Sequence, residues 1–229
     1  MIRRNYIIFL SSLLSAAALV VTVPRFLSAA PGVGLTSQFE INFLEFTIDH
    51  HFSALRMTEL AAGTSTTRNA DILPTEGTSP TPGFAPTTAK TDIADLKSLA
   101  RRENRTQREE ILMAQTLLKQ WYGITYTPRV LPENQTQIDL LENSNPGGVF
   151  DVNFMTALSR HHYTIIQQAS ACLVSADLNH LHASLERYCR NIVNSQLSDT
   201  DEMRHILCNR FHICDYQPLT DPQGNFTQP

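Results

Sequence analysis

The sequence predicts an all-α protein: an antiparallel four-helix bundle made of two repeated helical hairpins. Residues 39–51 (FEINFLEFTIDHH) recur as residues 150–162 (FDVNFMTALSRHH), at an offset of 111. The helices that follow also align, at an offset of 89, so that Gln107 corresponds to Gln196. Glycine is scarce (9 residues), which disfavours an all-β fold. Because one hairpin cannot bury its own apolar face, the two copies are expected to pack together.

Residues 1–30 have the layout of a targeting segment. A basic start at Arg3 and Arg4 precedes an uncharged, mostly apolar run over residues 6–23. This pattern is typical of a signal peptide, and the run is also long enough for an uncleaved N-terminal membrane anchor. Both interpretations place the folded part outside the cytoplasm, as a periplasmic or secreted protein. Contact with a membrane is expected only through this segment, if it is not cleaved.

All four cysteines lie in the second copy, where an oxidising compartment would favour disulfides. Four cysteines allow three pairings. A turn near Asp177 would bring Cys172 close to Cys189 in an antiparallel hairpin. Cys208 and Cys214 are six residues apart at a helix end. We therefore expect disulfides 172–189 and 208–214, with free buried thiols as the alternative.

The first hairpin is predicted over residues 37–63 and 91–122. Ser37 followed by Glu40 is a capping-box pattern for its first helix. The apolar positions of both helices recur at spacings of three and four, as in the seam of a bundle. Residues 64–90 between the helices are rich in Thr, Ser, Pro and Gly, which predicts a flexible loop.

The second hairpin is predicted over residues 149–176 and 177–211, so that the bundle spans residues 37–214. Prolines and glycines mark residues 124–148 as a linker between the two copies. Residues 215–229 are expected to form a loose tail.

Each copy places the same polar residues toward the inside of the bundle. Two adjacent histidines come from its first helix, and a glutamine and a carboxylate come from its second. Adjacent residues lie about 100° apart on a helix, so only His50 and His161 are expected in the central seam. Burying this many polar groups costs free energy unless they bond to one another or to a ligand. With two methionines on the same helices, the set comprises His50, His51, Met57, Gln107, Glu110, His161, His162, Gln196, Asp199 and Met203.

A metal ion is the partner that this set predicts first. Imidazole binds copper, zinc, iron and nickel, and thioether sulfur selects Cu(I), so histidine with methionine in an exported bundle points to copper. The four histidines with Met57 and Met203 are the candidate ligands. The glutamines and the two carboxylates would fix the imidazole tautomers from behind. Four further histidines are expected at the surface: His180, His182, His205 and His212. Of these, His205 is near Met203 and could instead extend a metal site.

An alternative is a structural or partner-binding protein whose polar layer is satisfied internally. In that case His50 would bond Glu110 and His161 would bond Asp199, and the layer would specify register. A di-metal enzyme is not expected, because Glu103 is placed too far along its helix to join the other two carboxylates. The net charge of −4 gives no indication of nucleic-acid binding.

These motifs resemble those of domain-of-unknown-function family 305 (DUF305). Residues 50–57 carry the pattern HHxxAxxM, and Gln107-x-x-Glu110 and Trp121-Tyr122-Gly123 follow in the next helix. In the second copy the matching residues are His161-His162, Gln196 and Met203. The resemblance covers about residues 37–211. It implies an exported bundle of ferritin-like topology that binds copper and takes part in metal resistance or delivery.

The chain departs from the family in its methionines. The family usually has methionine three residues before the first histidine, where this chain has Thr47 and Leu158. Gln168 stands at the motif methionine of the second copy, and Ala114 replaces a methionine of the first. What remains is dominated by histidine, a donor set that suits Cu(II) or another divalent metal better than Cu(I).

Overall fold

The computed structural model describes residues 35–65, 77–179 and 181–215. Within them lie five helices: α1 (Leu35–Ala62), α2 (Ala94–Tyr122), α3 (Pro132–Asn143), α4 (Gly148–Asn179) and α5 (Ala183–Phe211). α1 packs mainly against α2 and α4 against α5, and the two hairpins meet chiefly along α1 and α4. The predicted all-α bundle of two hairpins is confirmed.

The connection between α4 and α5 lies further along the chain than the sequence analysis placed it. α4 continues to Asn179 and α5 begins at Ala183, so the turn predicted near Asp177 is inside the helix. Neither glycine nor proline interrupts the chain between Asp177 and Ala183, so nothing in the local sequence stops the helix earlier. The backbone of His182, with φ −58° and ψ 129°, leaves the helical region immediately before α5.

The capping-box prediction at the start of α1 is wrong, because Glu40 has a tertiary partner. Its buried carboxylate accepts hydrogen bonds from the backbone N–H of His182 (3.0 Å) and from the Tyr122 hydroxyl, and His182 Nδ1 lies 2.8 Å from Glu40 Oε2. The ring of His182 also stacks on Trp121, with centroids 4.0 Å apart. His182 is therefore buried rather than at the surface, and it ties the start of α5 to α1.

Residues 124–148, predicted as a linker, contain the additional helix α3. Pro132 occupies its first turn, where the missing backbone N–H costs nothing, and Ile138 and Leu141 are buried three residues apart. The Lys90 ammonium donates to the carbonyl oxygens of Leu141 (3.0 Å), Glu142 (2.6 Å) and Ser144 (3.1 Å). These contacts satisfy carbonyl groups that a helix end leaves open and hold α3 against the bundle.

Part of the predicted flexible loop is fixed to the end of α1. Thr64 N–H donates to the carbonyl oxygen of Thr87, and Thr78 N–H donates to that of Gly63, both at 2.8 Å. Gly63 has φ +76°, and a Cβ atom there would lie 2.7 Å from the backbone nitrogen of Ala89. Only glycine fits this position, both in conformation and in space.

The core consists of two apolar clusters separated by a layer of polar side chains. The first apolar cluster lies around the end of α1 and the start of α4, and the second lies around the start of α1 and the end of α2. Principal members of the first are Met57, Leu60, Leu96, Leu99, Phe150, Phe154, Leu158, Met203 and Leu207. Principal members of the second are Phe43, Leu44, Ile48, Ile111, Leu118, Trp121, Ile165, Leu185 and Ile192.

Both predicted disulfides are present, Cys172–Cys189 within the α4–α5 hairpin and Cys208–Cys214 at the end of α5. Among the described residues, no helix has both the length and the apolarity that crossing a membrane requires. The predicted targeting segment (residues 1–30) lies outside the described residues, as do residues 66–76 of the loop, His180 and the tail beyond residue 215.

Candidate metal centre

The polar layer between the two apolar clusters is centred on the two histidine pairs. All four imidazoles are buried, none more than 2% exposed. Where α1 and α4 meet, the rings of His50 and His161 stack, with centroids 3.6 Å apart and planes inclined by 32°. His50 Nε2 lies 3.0 Å from the backbone carbonyl oxygen of His161. A carbonyl only accepts, so this nitrogen carries the proton and His50 Nδ1 carries the lone pair.

The second histidine of each pair faces the carboxylates. His51 Nε2 lies 2.8 Å from Glu110 Oε2, and His162 Nε2 lies 3.5 Å from Glu103 Oε1. The predicted pairs His50–Glu110 and His161–Asp199 are therefore wrong. His50 and His161 face each other where the hairpins meet. The next residue on each helix lies about 100° further around, so His51 and His162 are the ones that reach the second helices.

Glu103 belongs to the layer, contrary to the prediction that it lies too far along α2. Its side chain is fully buried, and its Oε1 accepts hydrogen bonds from the side-chain amides of Gln107 and Gln196, the latter at 3.0 Å. Glu103, Gln107 and Glu110 are spaced by four and three residues, which puts them on one face of α2. The polar layer therefore extends over two turns of α2. The spacing of four and three residues is the sequence signal that places Glu103 in it.

Asp199 lies at the edge of the same group. Its Oδ1 accepts a hydrogen bond from Arg102 NH2 at 2.7 Å, and Arg102 also binds Glu202 at 2.6 Å. Burial raises the pKa of Asp199 to about 7, and a hydrogen bond with the carboxyl group of Glu103 and its charge act in the same direction. Two carboxyl groups this close favour sharing one proton over carrying two negative charges.

Three histidines of the layer, His50, His161 and His162, are held in the neutral form. Burial lowers the pKa of His50 and of His161 well below the ordinary range, and the neighbouring imidazoles lower both further. Burial also lowers the pKa of His162 to about 4. These three rings are therefore uncharged at neutral pH, and neutral imidazole is the form that binds a metal.

Several buried polar atoms of this layer have no hydrogen-bond partner among the described residues. They are Nδ1 of His50 and His51, both ring nitrogens of His161 and His162, and Oε1 of Gln107 and Gln196. Each such atom costs about 1–3 kcal/mol. Neutral imidazoles with carboxylate and amide oxygens around them are a donor set that fits a divalent metal ion.

The two candidate methionines lie outside the layer. Met57 and Met203 are fully buried in the first apolar cluster, and the Ser159 hydroxyl is 3.8 Å from Met203 Sδ. Met57 follows His50 by two helical turns, about 10 Å along α1. The structure thus brings the four histidines together with Gln107, Glu110, Gln196 and Asp199, and it keeps both methionines in the first apolar cluster.

A scan against protein-family models matches residues 85–207, more than half of the chain, to "Domain of unknown function (DUF305)". The chain belongs to the DUF305 family. The resemblance drawn from the histidine motifs is thereby confirmed. A search of curated proteins gave no significant match to this DUF305 chain.

Solved structures with the same fold include another DUF305 protein and a copper protein. "CopM in the Cu(II)-bound form" is 20% identical, with a TM-score of 0.56 over 74% of this chain and 96% of that one. "CopM in the Ag-bound form (by co-crystallization)" is 20% identical, with a TM-score of 0.53 over 75% and 97%. A DUF305 fragment from Deinococcus radiodurans is 18% identical, with a TM-score of 0.51 over 74% and 95%. At these identities the likeness establishes the fold.

Proposed function

We propose that this DUF305 protein is an exported, non-catalytic metal-binding protein of metal handling or resistance, with copper as the first candidate metal. The observation that carries the proposal is the group of four buried imidazoles whose ring nitrogens are largely without hydrogen bonds. A ligand that accepts several nitrogen lone pairs at once would remove this cost, and a metal ion does so.

The ligands would come first from His50, His51, His161 and His162. His50 offers Nδ1, because its Nε2 is engaged by the carbonyl of His161. Met57 and Met203 could join only after moving toward the layer from the first apolar cluster. A site dominated by imidazole favours Cu(II) over Cu(I), and the structural relative CopM was solved in Cu(I), Cu(II) and silver forms.

Export is supported by the two disulfides and by the N-terminal pattern. Structural disulfides persist in oxidising compartments and are rare in the cytosol. Cys172–Cys189 and Cys208–Cys214 use every cysteine of the chain. A periplasmic or secreted protein with no free thiol would have to bind soft or borderline metals through other side chains, which makes the histidines the natural donors.

A structural or partner-binding protein is the second candidate, and one observation favours it. Parts of the layer bond internally: Glu103 accepts two amide donors, and His51 lies close to Glu110. A layer of this kind can specify the register of a bundle without binding any ion.

Metal titration separates the two candidates. The full chain and a His50→Gln, His161→Gln variant would be titrated with Cu(II), Zn(II), and Cu(I) kept reduced by ascorbate, which spares the disulfides. The matched control is His205→Gln, His212→Gln, since both of these side chains are exposed. Metal binding by the layer predicts that the first variant loses at least about tenfold in copper affinity and that the control keeps it. Equal affinity in all three proteins would contradict the proposal.

A further inference from the structure

One corner of the polar layer differs from the rest, because it combines two carboxylates with a single imidazole. Glu103 of α2, His162 of α4 and Asp199 of α5 are all buried, and one ligand atom from each lies within 4.8 Å of the others. We infer that these three residues form a distinct site for one divalent cation of the Zn²⁺, Mn²⁺ or Co²⁺ class, with little affinity for Cu(I). The inference deepens the proposed function, since it assigns His162 a separate role within the layer.

The spacing of the three residues is close to that of a coordination sphere. Ligand atoms bound to one ion at about 2.1 Å are about 3.4 Å apart when the geometry is tetrahedral. The observed separations are at most 4.8 Å, so rotations of side chains alone would bring the atoms within range. The three helices already hold the ligand atoms within this range of one another.

A second observation, besides the proximity of the two acidic residues, indicates a ligand at this corner: the buried ring of His162 has no hydrogen-bond partner within the described ranges. Neither ring nitrogen of His162 has a hydrogen-bond partner in the part of the chain that the structure describes, although the ring is fully buried. Its Nε2 lies 3.5 Å from Glu103 Oε1. An ion bound between them would give the lone pair of His162 a partner that the buried ring otherwise lacks among these residues.

The chemistry of the three donors selects the class of ion. Carboxylate oxygen and imidazole nitrogen suit hard and borderline divalent cations, whereas Cu(I) prefers thiolate and thioether sulfur. The surrounding groups hold the carboxylates in place: the amides of Gln107 and Gln196 donate to Glu103 Oε1. Such outer contacts orient ligands in metal sites.

The site breaks the two-fold repeat of the chain. At the offset of 89 that aligns the second helices, the residue equivalent to Glu103 is Ile192, which is fully buried in the second apolar cluster. The other half of the layer, around His51 and Glu110, therefore lacks the second carboxylate. We expect one such ion per chain.

Arg102 lies between the site and the surface. Its guanidinium binds Asp199 Oδ1 at 2.7 Å and Glu202 Oε2 at 2.6 Å, and its side chain is 42% exposed. Glu202 also lines a surface cleft of about 660 Å³, together with Asp95, Asp201 and Arg210. Arg102 thus pairs with the charge of Asp199 in the metal-free protein, and a bound cation would share that carboxylate with it.

Titration of the metal-free full chain with Co²⁺ alone tests the inference. The visible absorption of Co²⁺ reports its ligands, and one ion per chain is expected. Glu103→Gln and Asp199→Asn, which are close to isosteric, should each lower the affinity at least about tenfold. Glu109→Gln is the matched control, since it removes an exposed carboxylate of the same helix.

The result that overturns the inference is Co²⁺ binding that Glu103→Gln leaves unchanged or that Glu109→Gln weakens equally. Copper titration of Glu103→Gln keeps this failure apart from failure of the proposed function. If the copper affinity still depends on His50 and His161 while the Co²⁺ affinity is unchanged in Glu103→Gln, only the Glu103 site is wrong. If the Co²⁺ affinity depends on Glu103 while the copper affinity is unchanged in the His50→Gln, His161→Gln variant, the Glu103 site stands and the copper proposal is contradicted.

Discussion

Acidification should destabilise the metal-free protein through the buried histidines, and His162 gives the magnitude. Burial lowers the pKa of His162 from its ordinary value of 6.5 to about 4. The unfolded chain therefore takes up a proton near pH 6.5, and the folded chain does so only near pH 4. Between these values the unfolded state binds more protons, so the free energy of unfolding falls as the pH is lowered. Above about pH 6.5 this histidine contributes no pH dependence.

The expected loss follows from the width of that interval. One pH unit corresponds to about 1.36 kcal/mol, so the full effect of His162 is about 3.4 kcal/mol, of which about 2.5 kcal/mol is lost between pH 7.5 and pH 4.5. The ring is fully buried, so solvent screening does not reduce this figure. Asp199 acts in the opposite direction, because its pKa is raised to about 7 and the folded state takes up that proton first.

A comparison of variants isolates the histidine from these other groups. Urea unfolding would be followed by far-ultraviolet circular dichroism at pH 7.5 and pH 4.5, with a chelator present and the disulfides intact, for the wild type and for His162→Gln. The wild type should lose about 2.5 kcal/mol more than the variant between the two pH values. His205→Gln, whose side chain is 70% exposed, should lose as much as the wild type. An equal loss in wild type and His162→Gln would refute the assignment of a buried, neutral imidazole.

Three further predictions concern the scaffold around the layer. Replacing Cys172 and Cys189 together by serine should lower the free energy of unfolding by about 3 kcal/mol, as expected for a 17-residue separation, and an unchanged urea midpoint would contradict this. Asp49→Asn should cost about 1–3 kcal/mol, because the Asp49 carboxylate accepts hydrogen bonds from the backbone N–H and Nε of Arg129, both at 3.0 Å. In this variant the amide hydrogen-exchange rate should rise around Arg129 and stay unchanged in α4. An equal rise in both segments would show that Asp49 does not act locally on the segment around Arg129. Lys90→Met should increase exchange within α3 and leave α2 protected, since Lys90 binds the carbonyl groups at the end of α3.

The sequence was sufficient for the architecture because the information is local and repeated. The recurrence of residues 39–51 as residues 150–162 predicts two equivalent hairpins, and apolar spacings of three and four predict which faces pack. Cys172 and Cys189 pair within the α4–α5 hairpin, whose connection between Asn179 and Ala183 lies about midway between them rather than near Asp177. By contrast, the sequence does not predict α3, because only two of its apolar side chains, Ile138 and Leu141, are buried, and Pro132 is as typical of a linker as of a helix start.

The layer itself was predicted in composition but not in connectivity. Which histidine meets which carboxylate depends on the rotation of each helix, and one residue corresponds to about 100°. His50 and His161 stack on each other and so leave the carboxylates to His51 and His162. The partners of Glu40 cannot be predicted from local sequence either. Tyr122 and His182 are distant in sequence, whereas the residues next to Glu40 match a helix-capping pattern.

Glu103 is a buried carboxylate that the packing of the bundle does not require. A symmetric layer of histidine, glutamine and one carboxylate per copy would be enough to specify how two equal hairpins meet. Glu103 adds a second buried carboxylate beside Asp199 on one side only, where the other copy has Ile192. Burying an extra acid costs free energy, and the packing of the bundle does not require it, as its apolar counterpart demonstrates. An asymmetric cost of this kind is expected where a residue serves a ligand rather than the fold. The histidine repeat alone leaves a structural layer and a metal site equally plausible, and it is the departure from the repeat that favours a site.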